Sequence, residues 1–246
     1  MLISTKEDLA RIIDQTLLKP DATEEDVRRF CREAARHNFA SVFVNPFYTD
    51  LAFRLLEDSS VRVGTTVGFP LGASTSAVKC FEARDAIERG AREIDMVLNI
   101  GALKSGNVDA VQRDIYGVMG AIREKEIEGE VGPITVKVII EACYLTDEEK
   151  RIACRVIEEA GADFVKTSTG LGPGGATVHD VRLLRKYLRS KVGVKASGGI
   201  RTLEQCLEML KAGANRIGTS SGVEIMKEFE DLPASARRWT SARTFG

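Results

Sequence analysis

Short apolar runs rich in β-branched residues alternate with longer amphipathic stretches along the chain. The short runs predict buried strands, and apolar residues spaced three and four apart predict helices. The predicted strands cover residues 12–17, 40–44, 62–67, 93–98, 134–141, 163–167, 193–197 and 215–218. The clearest predicted helices cover residues 23–37, 76–89, 108–125, 146–160, 177–188 and 202–212. Strands that alternate with helices in this way are typical of a closed parallel α/β barrel.

Capping and turn residues support this pattern. Thr23 stands three residues before Asp26, which is the spacing of a capping box at a helix start. Gly90, Gly161 and Gly213 stand where helices return to strands. An open doubly wound sheet is the alternative, but its GxGxxG signature does not follow the first strand. We therefore expect a single (β/α)8 TIM barrel over residues 1–232, with a short N-terminal helix and a flexible C-terminal tail over residues 233–246.

Composition narrows the classes of function. The 246 residues include 35 Lys and Arg against 36 Asp and Glu, a net charge of −1, so the surface as a whole attracts neither nucleic acid nor an anionic membrane. The N-terminus lacks a signal pattern, and no apolar run approaches the ~18 residues of a membrane span. Five widely spaced cysteines without CxxC pairing favour a reducing compartment, and we interpret them as small buried side chains. We expect a cytoplasmic protein.

Two lysines lie inside runs that otherwise predict buried strands. Lys166 is in FVKTSTG (residues 164–170), and Lys195 is in GVKASGG (residues 193–199). A buried ammonium group needs a partner or a task, and both burial and a neighbouring cation lower the pKa of a lysine. A lysine amine that is neutral near pH 7 attacks carbonyl carbon. The pair therefore predicts an enzyme that works through a Schiff base.

Further polar residues lie on the predicted strands. Asp14 is on the first strand, Asp95 on the fourth and Lys137 on the fifth. Because catalytic side chains of such barrels gather at the carboxyl ends of the strands, we expect them to converge with Lys166 and Lys195. Asp95 has an alternative structural role as the partner of a lysine in a buried ion pair. For Asp14 and Lys137 the alternative is that they mainly tune the electrostatics of the site.

Two loops predict a phosphate site. SGGIR (residues 197–201) follows the seventh predicted strand, and GTSSG (residues 218–222) follows the eighth. Phosphate is frequently bound at these loops of a barrel, where backbone N–H groups are accessible and a helix start, here capped by Thr202, adds positive charge. The alternative is that these glycines only form tight turns. The residues predicted to bind phosphate are Gly198, Gly199, Gly218, Ser220 and Ser221.

Nothing in the chain predicts a metal or another cofactor. The sequence has no cluster of His, Cys and carboxylate residues at ligand spacing. His37 and His179 fall in predicted helices, where we expect surface or packing roles.

Six blocks of the sequence together resemble one known family. They are IDQTLLKP (13–20), EIDMVLN (93–99), VKVIIE (136–141), FVKTSTG (164–170), VKASGGIR (194–201) and IGTSSG (217–222). In this order they resemble the signature blocks of the deoxyribose-phosphate aldolases, from the first strand to the last loop. The resemblance implies a lyase of carbohydrate degradation that reversibly cleaves 2-deoxy-D-ribose 5-phosphate to D-glyceraldehyde 3-phosphate and acetaldehyde.

The resemblance also implies roles for individual residues. Lys166 would form the Schiff base, Lys195 would keep it nucleophilic and assist proton transfer, and Asp95 would donate and accept protons. The implied partners are a phosphosugar and aldehydes, and the implied assembly is a dimer or tetramer of identical chains. The residues implied to bind substrate or phosphate are Asp14, Thr16, Lys137, Thr169 and Gly170, with the loop residues named above.

Alternative functions would require different residues at these positions. Another Schiff-base aldolase acting on a related phosphosugar should differ around Asp95 and the second lysine. A phosphate-binding isomerase needs no pair of strand lysines, and a phosphosugar sensor without activity should have lost Lys166 or Lys195. Two departures from the family pattern stand out: Phe43 replaces a cysteine common in relatives, and the tail lacks the terminal tyrosine of some relatives.

Overall fold

The computed structural model describes residues 2–129, 132–189, 191–237 and 239–240. Eight parallel strands form a closed barrel in which each strand pairs with the next along the chain and the last pairs with the first. These strands are β2 (Ile13–Leu17), β3 (Ser41–Val44), β4 (Arg62–Val67), β5 (Glu93–Val97), β6 (Thr135–Ile139), β7 (Phe164–Lys166), β8 (Gly193–Ser197) and β9 (Arg216–Thr219). The (β/α)8 barrel and all eight predicted strands are confirmed.

Helices follow the strands and cover the outside of the barrel. They are α1 (Lys6–Ala10), α2 (Glu24–His37), α3 (Thr49–Leu55), α4 (Ser76–Glu88), α5 (Ile100–Lys104), α6 (Val108–Ile127), α7 (Asp147–Glu159), α8 (Val178–Tyr187), α9 (Leu203–Ala212) and α10 (Gly222–Asp231). The six predicted helices and the short N-terminal helix are confirmed. The sequence pattern did not indicate α3, α5 and α10; the N-cap residues of α3 and α10, Tyr48 and Ser221, make no capping hydrogen bond through their side chains.

The caps and returns form as the sequence predicts. Thr23 and Asp26 form a capping box at the start of α2. Gly90, Gly161 and Gly213 have φ angles of 99°, 76° and 116°, which L side chains rarely adopt. The chain therefore reverses from each of these helices into the next strand without a steric penalty.

The two ends of the described chain pair with each other. Strand β1 (Leu2–Ile3) is antiparallel to β10 (Trp239–Thr240), and the ring of Trp239 lies 5.7 Å from that of Phe229. The part of the predicted tail up to Thr240 thus contacts the barrel domain. The end of that tail, residues 241–246, lies outside the described residues.

The strands divide their side chains between two environments. In β5, Ile94 and Met96 pack into the apolar layer between the barrel and the helices, whereas Glu93 and Asp95 point inside the barrel. Branched apolar residues usually fill a barrel interior. Here charged side chains take that place, so the site is built into the barrel core.

One fully buried lysine lies outside the barrel interior. Lys79 of α4 donates to the carbonyl oxygen of Val97 at 2.9 Å and pairs with Asp114 of α6. It joins two helices to the end of β5 and does not line the cavity described below. We assign it a structural role. Among the helices that the structure describes, none is long and apolar enough to cross a membrane.

Candidate active site

Asp95 lies at the centre of the barrel interior and contacts all three strand lysines. Its Oδ2 accepts from Lys166 Nζ at 2.8 Å and from Lys195 Nζ at 2.7 Å. Its Oδ1 lies 3.2 Å from Lys137 Nζ. Strand pairing sets this geometry, because Asp95 is level with Lys137 and Lys166 is level with Lys195. The predicted convergence of these four side chains is present in the structure.

Asp14 joins this group from β2. Its Oδ2 lies 2.6 Å from Lys195 Nζ, and its Oδ1 accepts from Ser41 Oγ at 2.7 Å. The same Oδ1 accepts from Arg216 at 2.8 Å. Lys195 is therefore paired with both Asp14 and Asp95.

Two further charged residues of this network, Glu93 and Arg216, were not predicted from the sequence. Glu93 pairs with Lys137 and lies 3.6 Å from Arg216, which in turn binds Asp14. Glu93 stands two residues before Asp95 and so shares its face of β5, a signal that was available in the sequence. We call the set of Asp14, Glu93, Asp95, Lys137, Lys166, Lys195 and Arg216 the charge cluster.

Burial and pairing shift the pKa values in this cluster in opposite directions. Burial raises the pKa of Asp95, but Lys137, Lys166 and Lys195 lower it by more, so the carboxyl group stays ionised. Burial lowers the pKa of Lys137, but Asp95 and Glu93 raise it by more. For Lys166 burial dominates: with the help of Lys195 it outweighs Asp95 and lowers the pKa to about 8.

The charges of the cluster do not balance when every group is ionised. Its three carboxylates face three ammonium groups and one guanidinium group. Loss of a proton from Lys166 makes the cluster neutral. The charge balance favours one neutral lysine in the cluster, and the lowered pKa indicates that Lys166 loses its proton most readily.

A cavity of about 570 Å³ opens above the charge cluster at the carboxyl ends of the strands. Lys166 lines it, whereas Asp14, Lys137 and Lys195 are fully buried below its wall. Asp14 and Lys137 therefore do not line the cavity, and their predicted contact with substrate stays a prediction. The other predicted site residues at the wall are Thr16, Thr169, Gly170, Gly198, Gly199, Gly218 and Ser220.

The two predicted phosphate loops meet at one side of this cavity. Gly198 and Gly199 have φ angles of 89° and 82°, so the turn after β8 depends on glycine. Ser220 lies at the wall after β9, and α9 starts nearby behind the cap of Thr202. Ser221 does not line the cavity, and its N–H donates to Thr219 Oγ1 at 2.9 Å; its predicted role in phosphate binding stays a prediction.

Glu141 supports the loop after β7, a role that the sequence did not reveal. It is buried with a left-handed φ of 48°, and its carboxylate accepts from the backbone N–H and the hydroxyl of Thr169. The loop that begins at Lys166 is thereby fixed to the end of β6. The only signal for this role in the sequence was the carboxylate of Glu141 at the end of the predicted strand 134–141.

The cysteines and histidines lie outside the charge cluster. Cys31, Cys154 and Cys206 are buried, and burial raises the pKa of each thiol to about 12. The expectation that all five are buried is wrong, because Cys80 is half-buried and Cys143 is exposed. His37 stacks on Phe39, and exposed His179 lies 2.9 Å from Asp147, in keeping with surface and packing roles.

Comparison with known proteins gives consistent matches. The model of the DeoC/LacD family aldolases matches residues 9–228. The deoxyribose-phosphate aldolase of Caldanaerobacter subterraneus subsp. tengcongensis is 55% identical over 222 residues, which is 90% of this chain and 94% of the relative. That of Thermococcus gammatolerans is 56% identical over 222 residues, 89% of this chain and 96% of the relative. The tetrameric deoxyribose phosphate aldolase structure from Aeropyrum pernix superposes with a TM-score of 0.83 at 38% identity, covering 93% of this chain and 94% of that one.

Replacement of Lys166 by Met should stabilise the fold at neutral pH. Below about pH 8 Lys166 is charged in both the folded and the unfolded state, and holding that charge in the fold costs roughly 3 kcal/mol. Between about pH 8 and 10.5 the unfolded state binds more protons, so the unfolding free energy of the parent rises relative to the variant. Urea unfolding across this range should show a stability gap that closes as the pH rises. A difference in unfolding free energy between parent and variant that stays constant from pH 8 to 10.5 would contradict the lowered pKa of Lys166.

Proposed function

Since the chain belongs to the DeoC/LacD family of aldolases, we propose that it reversibly cleaves 2-deoxy-D-ribose 5-phosphate through a Schiff base on Lys166. The products are D-glyceraldehyde 3-phosphate and acetaldehyde. The observation that carries this proposal is the position of Lys166. Of the three lysines around Asp95, it is the one at the cavity wall, and its pKa is lowered to about 8.

The first half of the reaction forms the covalent intermediate. The free amine of Lys166 attacks the C1 aldehyde of the open-chain sugar, and loss of water gives an iminium ion. The C3 hydroxyl then loses its proton, the C2–C3 bond breaks, and its electron pair moves into the iminium group to form an enamine. D-glyceraldehyde 3-phosphate leaves with the C3 carbonyl. The iminium nitrogen supplies the electron sink, so the proposed chemistry needs no metal or other cofactor.

The second half releases the remaining two carbons. The enamine takes a proton at the former C2, which regenerates an iminium ion, and water hydrolyses it to acetaldehyde and free Lys166. Each step requires a proton to move near Nζ of Lys166. Asp95 lies 2.8 Å from that atom, and Lys195 shares the same carboxylate oxygen. We assign the proton transfers to Asp95 and Lys195.

The phosphate group is held by the loops after β8 and β9 in this proposal. Gly198, Gly199 and Ser220 lie at the wall where these loops meet, and the start of α9 adds a partial positive charge. Thr169 and Gly170 line the wall beside Lys166. The sugar would then extend from the phosphate loops to the amine.

Borohydride reduction in the presence of acetaldehyde should place an ethyl group on Lys166. Peptide mass spectrometry locates the adduct. Because covalent catalysis requires this amine, Lys166→Leu should lower cleavage activity by about a hundredfold or more. The matched variant Lys211→Met, at an exposed lysine, should keep both the adduct and the activity. An adduct found mainly on Lys137 or Lys195 would contradict the assignment.

Gly199→Val should weaken recognition of the phosphate group. The φ of 82° strains any L side chain, although a Cβ there meets no atom of the described residues within 4 Å. The KM for 2-deoxyribose 5-phosphate should rise roughly tenfold or more, and cleavage of unphosphorylated 2-deoxyribose should change little. Gly106→Val is the matched control, because its φ of 72° imposes the same strain outside the cavity wall. If cleavage of the phosphorylated and the unphosphorylated sugar decreased by the same factor, the substitution would have distorted the loop and not specifically weakened phosphate binding.

We also propose that the chain forms a homo-oligomer. Large apolar side chains are unusually exposed, including Phe47 at 83%, Leu71 at 71% and Phe81 at 69%. Sedimentation velocity should give a mass of two or four times 26.9 kDa, as in a dimer or tetramer. A species of 26.9 kDa at every concentration tested would exclude this assembly.

A further inference from the structure

The ring of Phe43 lies beneath the three lysines of the charge cluster. Its centroid is 3.8 Å from Lys195 Nζ, 4.5 Å from Lys137 Nζ and 5.8 Å from Lys166 Nζ. The face of an aromatic ring carries negative potential and attracts a cation within ~6 Å of its centroid. Phe43 has no exposed surface, so water does not compete for this attraction.

Gly64 fixes the position of this ring. A Cβ at Gly64 would lie 2.4 Å from Phe43 Cζ and 2.7 Å from both Cε atoms. The ring therefore fills interior space that any larger residue on β4 would occupy. Because β4 confines the Phe43 ring on the side of Gly64, the fold sets the distances from the ring to the three ammonium groups.

The three distances are unequal, and the attraction decreases with distance. The ring therefore stabilises positive charge most on Lys195 and least on Lys166. The carboxylate contacts also stabilise positive charge more on Lys195 than on Lys166. Lys195 contacts both Asp14 and Asp95, whereas the carboxylate contact of Lys166 is with Asp95. The charged groups around Lys166 inside the barrel are Asp14, Glu93, Asp95, Lys137, Lys195 and Arg216.

We propose that Phe43 is a positioning residue whose ring face holds the positive charge on Lys195 and thereby leaves Lys166 as the lysine that gives up its proton. The inference rests on the proposed function, because it concerns which amine is free to attack the carbonyl carbon. Phe43 does not line the cavity and acts on the reaction through the two lysines.

Fluorinated phenylalanines at position 43 test this role, because they weaken the negative ring face stepwise with little change of shape. The probes are Phe43→3,5-difluorophenylalanine and Phe43→3,4,5-trifluorophenylalanine. The measurement is the pH dependence of the rate at which acetaldehyde and borohydride modify Lys166. Each added fluorine should move the rise of this rate to higher pH. At pH 7 the rate should fall roughly threefold to tenfold, and it should recover at higher pH.

Phe43→Leu removes the ring face altogether and should give the largest shift to higher pH. Phe229→Leu is the matched control, because it shortens another fully buried aromatic side chain away from the cluster. The control should lower the thermal unfolding temperature without moving the pH profile. The fluorinated variants keep the test decisive if Phe43→Leu fails to fold.

Two results would overturn the role of Phe43: a pH profile unchanged by fluorination, or a loss of rate by the same factor at every pH. The proposed function fails in a different way, since the parent protein would then form no adduct on Lys166. An adduct on Lys166 in the parent, together with an unchanged pH profile in the fluorinated variants, would support the Schiff base on Lys166 and contradict only the proposed role of Phe43.

Discussion

Mutual pairing of buried charges inside the barrel is the constraint on which the site depends. An isolated ionised group loses several kcal/mol of hydration when buried, so each of these side chains requires a partner within contact distance. Parallel strand register supplies the partners, since it sets Asp95 level with Lys137 and Lys166 level with Lys195. The charge cluster contains one more cationic group than carboxylate groups. The same packing that stabilises most of the cluster in its charged form thus favours a neutral Lys166.

Lys79 and Lys166 are two buried lysines with different surroundings. Both are buried and both contact a carboxylate. Lys79 has Asp114 and a backbone carbonyl oxygen as its own partners, and it lies away from the cavity wall. Lys166 shares Asp95 with two other lysines and reaches the cavity. In the proposed function, the reactivity of Lys166 follows from competition for one carboxylate together with access to the cavity.

The sequence predicted what depends on local pattern. Strands were evident from β-branched runs, and Lys166 and Lys195 were evident because a charge interrupts such a run. The helices α3 and α5 have seven and five residues, so they show little helical periodicity in the sequence. The sequence could not predict which charges meet, because Arg216 reaches Asp14 only when the last barrel strand pairs with the first. The cation contact of Phe43 depends on distances across the interior, and these follow from barrel closure rather than from any motif.

The order of charges along the chain divides the barrel into two halves of opposite sign. Every carboxylate of the cluster comes from β2 to β5, and every cation comes from β6 to β9. A half-barrel folded alone would enclose either three negative or four positive charges without counterions. Attraction between the oppositely charged inner faces therefore favours docking of the two halves. Exchange of half-barrels with another protein would succeed only where the incoming half carries the complementary interior charge.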